Sequence, residues 1–356
     1  MTHKVLDLFC GCGGISLGFK LAGYEIFGGI DVNQDAINTF QYNFPKSQAK
    51  CIDLLNINHD EIHNIFNNIE GIDIIVGGPP CQGFSAANRY KKEDEDPRNK
   101  LFFEYMKFVE IIRPKAVLIE NVKGILTSNN GYAKEKIYSI FNKLGYSINS
   151  RVLSASDYGV PQRRERAFFV ALKNGTKFNF DSLKKIKKIV TVKEAIGELY
   201  NLREGQDVYS LEQDAKTDYQ KYLRNNENII MNHVIKYPTD KVQERIKCVP
   251  QGGNWKDIPL ELFDNQRSNR HSSAYKRLNE SDCSVTIDTG NAHSNYFHPV
   301  YHRIPTVREA ARLQSFNDEF KFLGSRTSQY RQVGNAVPPL LAKAIAKGIM
   351  EVLHNE

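Results

Sequence analysis

The stretch Ile72-Asp73-Ile74-Ile75-Val76-Gly77-Gly78-Pro79-Pro80-Cys81 decides how the chain folds around it. The apolar run Ile72–Val76 is short and bounded by glycines, which predicts a buried β-strand. The two prolines fix φ and remove two backbone donors, so the chain leaves the sheet in a rigid, extended turn. The Cys81 thiol follows at the carboxyl end of the strand, where α/β sheets bind ligands. Cys81 is therefore either a reactive thiol or a buried structural residue, and the residues predicted to lie around it distinguish the two.

Length and composition are those of an ordinary globular protein. The chain has 356 residues, 41% hydrophobic and 25% charged, which is enough for two domains and a large core. The net charge of +7 permits a polyanionic partner without requiring one. No run approaches the ~18 apolar residues of a membrane helix, and a strand beginning at Lys4 leaves no room for a signal peptide. Six cysteines without a Cys-x-x-Cys pair indicate reduced thiols, so we expect a cytoplasmic protein with no membrane partner.

Strand and helix patterns alternate through the first half of the chain. Short apolar runs are followed by amphipathic stretches that end on helix-stopping signals such as Arg113-Pro114 and Gly145. This alternation predicts a mostly parallel, doubly wound α/β sheet. The predicted strands are Lys4–Phe9, Glu25–Ile30, Ile72–Val76, Ala116–Ile119, Tyr146–Leu153 and Ala167–Leu172, and the predicted helices are Ile15–Leu21, Gln34–Tyr42, Leu101–Ile112 and Lys134–Leu144.

The regular pattern stops after about residue 173. A lysine-rich linker is followed, between about residues 200 and 301, by sequence without a sustained period. Regularity returns where Thr306-Val307-Arg308-Glu309 forms a capping box that heads a helix through Phe316, and where Pro338-Pro339 opens an apolar-striped helix. We therefore predict a first domain over residues 1–177, a second over 178–325 that includes the helix 307–316, and a C-terminal segment, 326–356, that returns to the first domain.

Residues suited to ligand binding follow several predicted strands. The turn Phe9-Cys10-Gly11-Cys12-Gly13-Gly14 lies between a strand and a helix, but Ser16 replaces the third glycine of a dinucleotide fingerprint, which favours a smaller nucleoside ligand. Asp31 ends the second strand, where an acid binds ribose hydroxyls, and Asp53 could meet an adenine amino group. A solvated helix-cap carboxylate is the alternative for each acid. Parallel strands end at one edge of the sheet, so we expect a convergence there of Gly11, Gly13, Asp31, Cys81 and Glu120.

Five motifs occur in a definite order along the chain. They are Gly78-Pro79-Pro80-Cys81-Gln82 with Phe84-Ser85, Glu120-Asn121-Val122, Gln162-Arg163-Arg164-Glu165-Arg166, Arg308-Glu309-Ala310-Ala311-Arg312-Leu313-Gln314, and Gln332-Val333-Gly334-Asn335-Ala336-Val337-Pro338. This series resembles the ordered motifs of the DNA (cytosine-5)-methyltransferases of bacterial restriction-modification systems. The resemblance covers essentially the whole chain except the irregular segment. It implies a class I S-adenosylmethionine-dependent methyltransferase fold, Rossmann-like, with a smaller, mainly β and loop target-recognition domain.

The resemblance also implies a covalent mechanism. C5 of cytosine is a poor nucleophile, and attack of the Cys81 thiolate on C6 would convert the C5–C6 bond into an enamine-like nucleophile. Charge then develops toward N3 and O2 of the base. Glu120 matches the acid that bonds N3, for which it must be protonated. Arg164 and Arg166 match the arginines of the Gln-x-Arg-x-Arg motif, and Arg166 is the better candidate for the contact with O2.

The target base must leave the stacked duplex to reach the thiol. Gln82 and Ser85 match the loop that the family closes over the flipped base. The polar run 88–99 suits a mobile lid, and a plain solvated loop would have the same composition. For Arg163 we expect a phosphate contact or an ion pair with Glu165.

The resemblance implies a set of positions that bind S-adenosylmethionine, with no metal. Ile52 and Asn99 depart from the family pattern, which commonly has glycine at both places, and both lie at the periphery of this set. The implied binding residues are Phe9, Gly11, Gly13, Asp31, Asp53, Pro80, Leu101 and Asn335.

The implied partner is double-stranded DNA. The irregular segment matches the position of the target-recognition domain and carries polar and basic stretches suited to base edges and phosphates. We expect a monomer in the bacterial cytoplasm, paired in function with a restriction endonuclease but not in a stable complex. One alternative keeps the chemistry on cytosine in transfer RNA, although the size of the insertion favours DNA. The other is a nucleotide-binding protein or dehydrogenase without a covalent step, which Ser16 and the pairing of Pro80-Cys81 with Glu120-Asn121-Val122 disfavour.

Overall fold

The computed structural model describes residues 2–57, 61–80, 100–173, 175–204, 206–224, 228–263, 274–289 and 296–354. The predictions for Cys81, Gln82, Ser85 and the run 88–99 therefore lie outside the described residues. The chain divides into two compact units: one comprises Met1–Ser154, Glu165–Lys185 and Val337–Glu356, and the other Ala155–Arg164 and Ile186–Ala336. In the described ranges, no helix is both long and apolar enough to cross a membrane.

This division differs from the predicted boundaries at 177 and 325. The first unit extends to Lys185, the segment 155–164 joins the second unit, and the chain returns to the first unit at Val337. Main-chain contacts within the second unit give the reason, because Arg163 N donates to Ser284 O at 2.9 Å. Gly334 approaches the Asp288 backbone so closely that a Cβ at this position would lie 2.4 Å from the Asp288 carbonyl carbon.

The first unit is built on a seven-stranded sheet. Its strands are β1 (Lys4–Leu8), β2 (Glu25–Asp31), β3 (Gln48–Cys51), β4 (Ile74–Gly77), β5 (Ala116–Val122), β6 (Ser147–Ser154) and β7 (Glu165–Leu172). They lie in the order β3-β2-β1-β4-β5-β7-β6, and β7 runs antiparallel to both of its neighbours. The predicted doubly wound, mostly parallel sheet is confirmed. The strand order reverses between β1 and β4, so their carboxyl ends flank the crevice where such sheets bind ligands.

Helices cover both faces of this sheet. They are α1 (Gly14–Leu21), α2 (Gln34–Asn43), α3 (Ile62–Ile65), α4 (Lys100–Ile112), α5 (Tyr132–Lys143) and the C-terminal α11 (Pro339–His354). Helix α11 buries Leu341, Ile345 and Ile349 completely, and each such side chain stabilises the fold by about 1.5–3 kcal/mol. It packs closely on α1 because Gly18 has no side chain, where a Cβ would lie 2.4 Å from the Ala342 Cβ.

The second unit contains short helices and very short strands. The helices are α6 (Val192–Ile196), α7 (Asp218–Arg224), α8 (Asp240–Cys248), α9 (Val307–Leu313) and α10 (Arg326–Asn335), and the strands are β8 (Tyr209–Ser210), β9 (Ile229–Ile230), β10 (Lys276–Arg277) and β11 (Tyr296–Phe297). The predicted capping box of α9 is confirmed: Glu309 N donates to Thr306 Oγ1 at 3.2 Å, and Thr306 N donates to Glu309 Oε2 at 2.7 Å. The helix ends at Leu313 rather than Phe316 because Ser315 adopts a left-handed φ of 65°.

Helix α9 is the charged centre of the second unit, and all seven of its residues are buried. Arg312 donates to the Asp318 carboxylate at 2.6 and 2.9 Å and to Glu198 at 2.5 Å. Arg303 donates to both carboxylate oxygens of Glu309 at 2.6 and 2.8 Å. Buried charges of this kind must be paired because desolvation of an unpaired ion costs several kcal/mol. The charged residues of the α9 motif therefore form buried ion pairs that stabilise this unit.

Candidate active site

The loop after β1 places three left-handed residues at alternate positions: Phe9 (φ 61°), Gly11 (φ 53°) and Gly13 (φ 99°). Phe9 holds this conformation without being glycine, which costs on the order of 1–2 kcal/mol and is a form of strain typical of ligand sites. A Cβ on Gly13 would lie 2.5 Å from the Phe44 ring, whereas a Cβ on Gly11 would meet nothing within 4 Å. The loop is thus packed at Gly13 and open at Gly11, where a ligand can approach the backbone.

Asp31, at the end of β2, joins this loop to the start of α2. Its Oδ2 accepts from Gly11 N at 2.9 Å, and its Oδ1 accepts from Asn33 N at 2.9 Å. A carboxylate oxygen can accept a second hydrogen bond, so both oxygens retain capacity for ligand hydroxyls. Asp53, in contrast, accepts from Leu55 N at 3.1 Å, which is the capping role that the sequence left open as its alternative.

The remaining predicted cofactor positions are more scattered. Pro80 is exposed after β4, and Leu101, the second residue of α4, packs partly buried against the core. Asn335 is the exposed last residue of α10, in the second unit. The first unit therefore brings Phe9, Gly11, Gly13 and Asp31 to the carboxyl ends of β1 and β2, and Pro80 to the end of β4.

A buried carboxyl group beneath the glycine loop was not predicted from the sequence. Asp7 of β1 is fully buried, and its Oδ2 accepts from the Ser16 hydroxyl at 2.6 Å. Burial raises the pKa of Asp7 to about 7, against the lowering effect of the Ser16 hydrogen bond. The available signal was an aspartate inside the otherwise apolar strand Val5–Leu8.

The two cysteines of the loop are poor nucleophiles. Cys10 and Cys12 are buried, and burial raises the pKa of both thiols. The reactive form of cysteine is the thiolate, which this environment disfavours. All the described cysteines are free thiols, as the sequence predicted: Cys10, Cys12, Cys51, Cys248 and Cys283.

The register of β5 and β7 brings Glu120 and Arg166 together. Arg166 pairs with Val122, so Glu120, two residues earlier on the same face, is its diagonal neighbour. Arg166 Nε lies 3.1 Å from Glu120 Oε1, and the two side chains are 21% and 15% exposed. These are the side chains that the sequence assigned to the base, Glu120 to N3 and Arg166 to O2, and those roles stay predictions.

The turn after β4 packs directly against Glu120. Asn121 Nδ2 donates to Pro79 O at 3.0 Å, and a Cβ on Gly78 would lie 3.0 Å from Glu120 Oε2. A Cβ on Gly77 would lie 2.0 Å from Leu8 O. The two glycines thus allow β4 and its turn to lie close to β1 and β5, with Glu120 beside the chain that leads to Cys81.

Arg164 lies in the second unit. It is 2% exposed, and its Nη1 donates to Ile287 O at 3.0 Å. This contact holds the segment before β7 to the second unit's own chain. A catalytic role for Arg164 stays a prediction.

Arg163 forms an ion pair, although not with the predicted partner. Its two Nη atoms donate to the Asp282 carboxylate at 2.7 and 2.8 Å within the second unit. Glu165, the expected partner, instead accepts from Lys123 Nζ at 2.7 Å. Strand β7 begins only at Glu165, so Arg163 lies before the strand, and the two residues belong to different units.

A doubly wound sheet in which β7 lies antiparallel between β5 and β6, with a glycine loop after β1 and an acid after β2, matches the fold of the class I S-adenosylmethionine-dependent methyltransferases. Sequence comparison agrees and is more specific. The family model for C-5 cytosine-specific DNA methylases matches residues 3–351, so the chain belongs to this family. It is a cytosine-C5 DNA methyltransferase of the restriction-modification type.

Individual relatives match over nearly the full chain. The Type II methyltransferase M.DdeI of Desulfomicrobium norvegicum is 34% identical over 99% of this chain and 89% of its own length. The Type II methyltransferase M1.HphI of Haemophilus parahaemolyticus is 36% identical over 100% of this chain and 89% of its own. A crystal structure of a prophage-encoded DNA modification methyltransferase of E. coli superimposes with a TM-score of 0.81 at 30% identity, covering all of both chains. The Dnmt2 methyltransferase of S. pombe, 18% identical with a TM-score of 0.63, shares the fold.

Proposed function

We propose that this enzyme transfers a methyl group from S-adenosylmethionine to C5 of a cytosine flipped out of a specific short duplex sequence. The transfer proceeds through a covalent bond between Cys81 and C6. The observation that carries the proposal is the Glu120–Arg166 pair, which Asn121 and Gly78 keep against the turn leading to Cys81. A carboxyl group and a guanidinium at one sheet edge suit the N3 and O2 positions of a cytosine ring.

In this mechanism the Cys81 thiolate adds to C6, and the electrons of the C5–C6 bond move toward N3 and O2. Glu120 gives a proton to N3, and Arg166 donates a hydrogen bond to O2, so both residues stabilise charge that develops only on addition. S-adenosylmethionine would supply the methyl group that the activated C5 takes up, and would leave as its thioether, S-adenosylhomocysteine. Loss of the C5 proton to solvent, departure of Cys81 from C6 as a thiolate and return of the N3 proton to Glu120 then restore the ring, the nucleophile and the acid.

Glu120 must carry a proton to serve N3. We propose that Glu120 gives up its contact with Arg166 and carries this proton when the base is bound. Arg166 would then turn from the carboxyl group toward the carbonyl O2. Arg164, as the other arginine of the motif, would support the same charge.

The glycine loop fits the nucleoside part of the methyl donor, because the space over Gly11 is open and the Asp31 carboxylate has acceptor capacity left. We propose that the donor is held without a metal. The residues that would hold it are Phe9, Gly11, Gly13, Asp31, Asp53, Pro80, Leu101 and Asn335.

We propose that the second unit reads the DNA sequence, as the target-recognition position of its residues 186–325 implies. Its paired internal charges around α9 would support the loops that contact base edges. Methylation would protect host DNA in the bacterial cytoplasm from a restriction endonuclease that acts separately. The enzyme would act as a monomer, with Gln82 and Ser85 closing over the flipped base.

Bisulfite sequencing tests this function directly. Plasmid DNA from cells that express the wild-type chain should retain cytosine at one position of one short sequence, and DNA from cells that express Cys81→Ala should not. Transfer RNA from the same cells provides the second arm. If the plasmid is unmodified and a cytosine in transfer RNA is protected, the substrate is RNA and not DNA. Methylation by Cys81→Ala would refute the covalent step.

A further inference from the structure

We propose that Lys247 and His302, whose chain segments are joined by the buried guanidinium of Arg277, bind one backbone phosphate of the DNA duplex. The three residues, here called the cationic site, all belong to the second unit. The inference rests on the proposed function of that unit in reading DNA, and it names residues that would contact the DNA backbone. None of the three belongs to the five motifs that carry the family resemblance.

Arg277 joins two segments of the second unit. It is the last residue of β10 and is buried. Its Nη1 donates to Val249 O at 2.9 Å and to Ile246 O at 3.3 Å, at the carboxyl end of α8. Its Nη2 donates to Val300 O at 2.9 Å, and its Nε donates to Pro299 O at 3.1 Å. A single guanidinium therefore bridges the end of helix α8 and the loop that follows β11.

The loop that follows β11 is fixed by His298, which is fully buried. The His298 Nδ1 accepts from Val300 N at 3.1 Å and from Tyr301 N at 3.0 Å. His298 N donates to Arg303 O at 2.9 Å, which closes the loop. His302 lies within this closed loop and is half-buried, so the main chain sets its position.

Lys247 lies in the last turn of α8, and its side chain is exposed. Glu244 lies one turn earlier on the same helix, and no ion pair joins it to Lys247 in the described ranges. The alternative explanation for Lys247 and Arg277 is attraction to the carbonyl groups at the helix C-terminus. That attraction accounts for the donors of Arg277, but it does not explain why His302 lies beside both cations.

The charged groups that act on His302 are cations, as far as the structure describes the chain. The pKa of His302 is lowered first by burial and then by the positive charges of Arg277 and Lys247. Burial also lowers the pKa of Arg277, and no described carboxylate raises it. Within the described residues, the side chains of Lys247 and His302 form no hydrogen bond or ion pair. A bound anion would offset the desolvation of Arg277 and its repulsion of Lys247.

The chemistry of the cationic site suits a phosphate of DNA. A phosphate group has several acceptor oxygens, so it can accept from a lysine ammonium and from the N–H of a neutral imidazole at once. Such contacts fix the position and orientation of a protein on the duplex and carry no sequence information themselves. The expected role of the cationic site is therefore to position the second unit on the DNA, while other residues of that unit read the bases.

A scan of single neutral phosphates tests the proposal. The probes are fluorescein-labelled duplexes that carry the sequence found by bisulfite sequencing, each with one methylphosphonate in place of one phosphate, and the readout is anisotropy. Wild type should bind one of these duplexes about tenfold more weakly than the unmodified duplex, because a charge-assisted hydrogen bond is lost. Lys247→Gln should bind that duplex and the unmodified one within about twofold of each other, because the contact is already absent.

The unmodified duplex provides a second measurement on the same variant. Lys247→Gln should bind it about tenfold more weakly than wild type and should lower the slope of log Kd against log salt by about 0.9. Lys247→Arg should restore both values. The side chain is exposed, so the unfolding temperature of Lys247→Gln should equal that of wild type.

His302→Phe tests the second contact. It should weaken binding about threefold to tenfold, and above neutral pH it should leave the salt slope nearly unchanged, because a neutral imidazole contributes a hydrogen bond and no charge. The matched control is Lys221→Gln, an exposed lysine of the same unit whose Nζ lies 3.4 Å from Asp218. This control should keep the wild-type profile across the whole scan.

Two results would overturn the proposal. One is a Lys247→Gln variant that binds more weakly but keeps the wild-type response to every methylphosphonate, which would indicate net charge rather than a site. The other is a Lys247→Gln variant that binds the unmodified duplex as tightly as wild type does, while wild type methylates that duplex. A wild-type enzyme that methylates no DNA would instead refute the proposed function, so the two failures are distinguishable.

Discussion

Arg166 Nε lies 3.1 Å from Glu120 Oε1 because the antiparallel register of β5 and β7 makes the two residues diagonal neighbours on one face of the sheet. The pair is partly exposed, so a substrate can reach it. In the proposed mechanism both side chains exchange this contact for contacts with the cytosine ring. In this mechanism the pair therefore fixes the positions of both side chains before the base binds, and the same two side chains stabilise the charge on the ring afterwards.

Arg166→Lys should lower kcat by about 10²–10³, because a lysine cannot present the same planar donor to O2 and loss of one such donor typically costs this much. The measurement is steady-state transfer of labelled methyl groups to duplex DNA. Arg113→Lys is the control, since Arg113 donates to Leu144 O away from the site, and it should retain nearly full activity. An Arg166→Lys variant within twofold of wild type would contradict the O2 contact.

Gly78→Ala should reduce kcat by roughly tenfold to a hundredfold with little change in stability. The new Cβ would lie 3.0 Å from Glu120 Oε2 and displace the carboxyl group, and small displacements of a reacting group have effects of this size. Gly71→Ala, before β4, is the matched control because its Cβ would meet only Lys4 Nζ at 4.0 Å. Equal activity of the two variants would show that Glu120 tolerates the displacement.

Gly11→Ala should weaken binding of S-adenosylmethionine at least about tenfold in calorimetric titration, because its Cβ would occupy the open space over the loop. Gly145→Ala separates obstruction from backbone strain. Gly145 also has a positive φ, 81°, and open space around it, but it follows α5. Both variants should lose about 1–2 kcal/mol of unfolding free energy, and a similar loss of ligand affinity in both would argue against a site at Gly11.

Asp7 should make stability depend on pH. The folded state binds the Asp7 proton more tightly than the unfolded state, with a pKa of about 7 against 3.8, so its contribution is fully present below pH 4 and is lost as pH rises through 7. This shift corresponds to about 4 kcal/mol. In urea unfolding, Asp7→Asn should therefore gain stability relative to wild type between pH 4 and pH 8. Ser16→Ala removes a hydrogen bond that favours the Asp7 carboxylate, so in this variant the loss of stability with rising pH should occur at a higher pH than in wild type. Identical profiles of stability against pH for wild type and Asp7→Asn would rule out titration of a buried Asp7.

Arg312→Met should destabilise the protein by about 3–5 kcal/mol, because it leaves the buried carboxylates of Asp318 and Glu198 without this partner. Urea unfolding followed by circular dichroism measures the loss. Lys193→Met is the control, since its 3.7 Å contact with Glu280 involves a lysine that is 70% exposed and should contribute about 0–1 kcal/mol. Similar losses in the two variants would mean that burial of the α9 charges does not govern stability.

The sequence anticipated the sheet well because its signals are local. Alternating apolar runs and helix-stopping residues placed most strands and helices within two residues of their observed bounds, and the capping box at Thr306 is present. Helix α9 ended early because Ser315 turns left-handed, which its sequence gives no reason to expect. The unit boundaries were harder to predict, since the contacts that assign 155–164 and α10 to the second unit come from residues far apart in sequence.

The sequence by itself determined the class of chemistry: a thiol after a strand, an acid after another, a glycine loop and an arginine motif in one order. Those features depend on residue type and spacing, which a linear chain displays directly. The tertiary structure determined which charged side chains pair with one another. Glu120 pairs with Arg166, Arg163 pairs with Asp282, and Asp7 is buried beneath the glycine loop. Strand register and burial fix such pairings, and both are set by the packing of distant segments rather than by any local pattern.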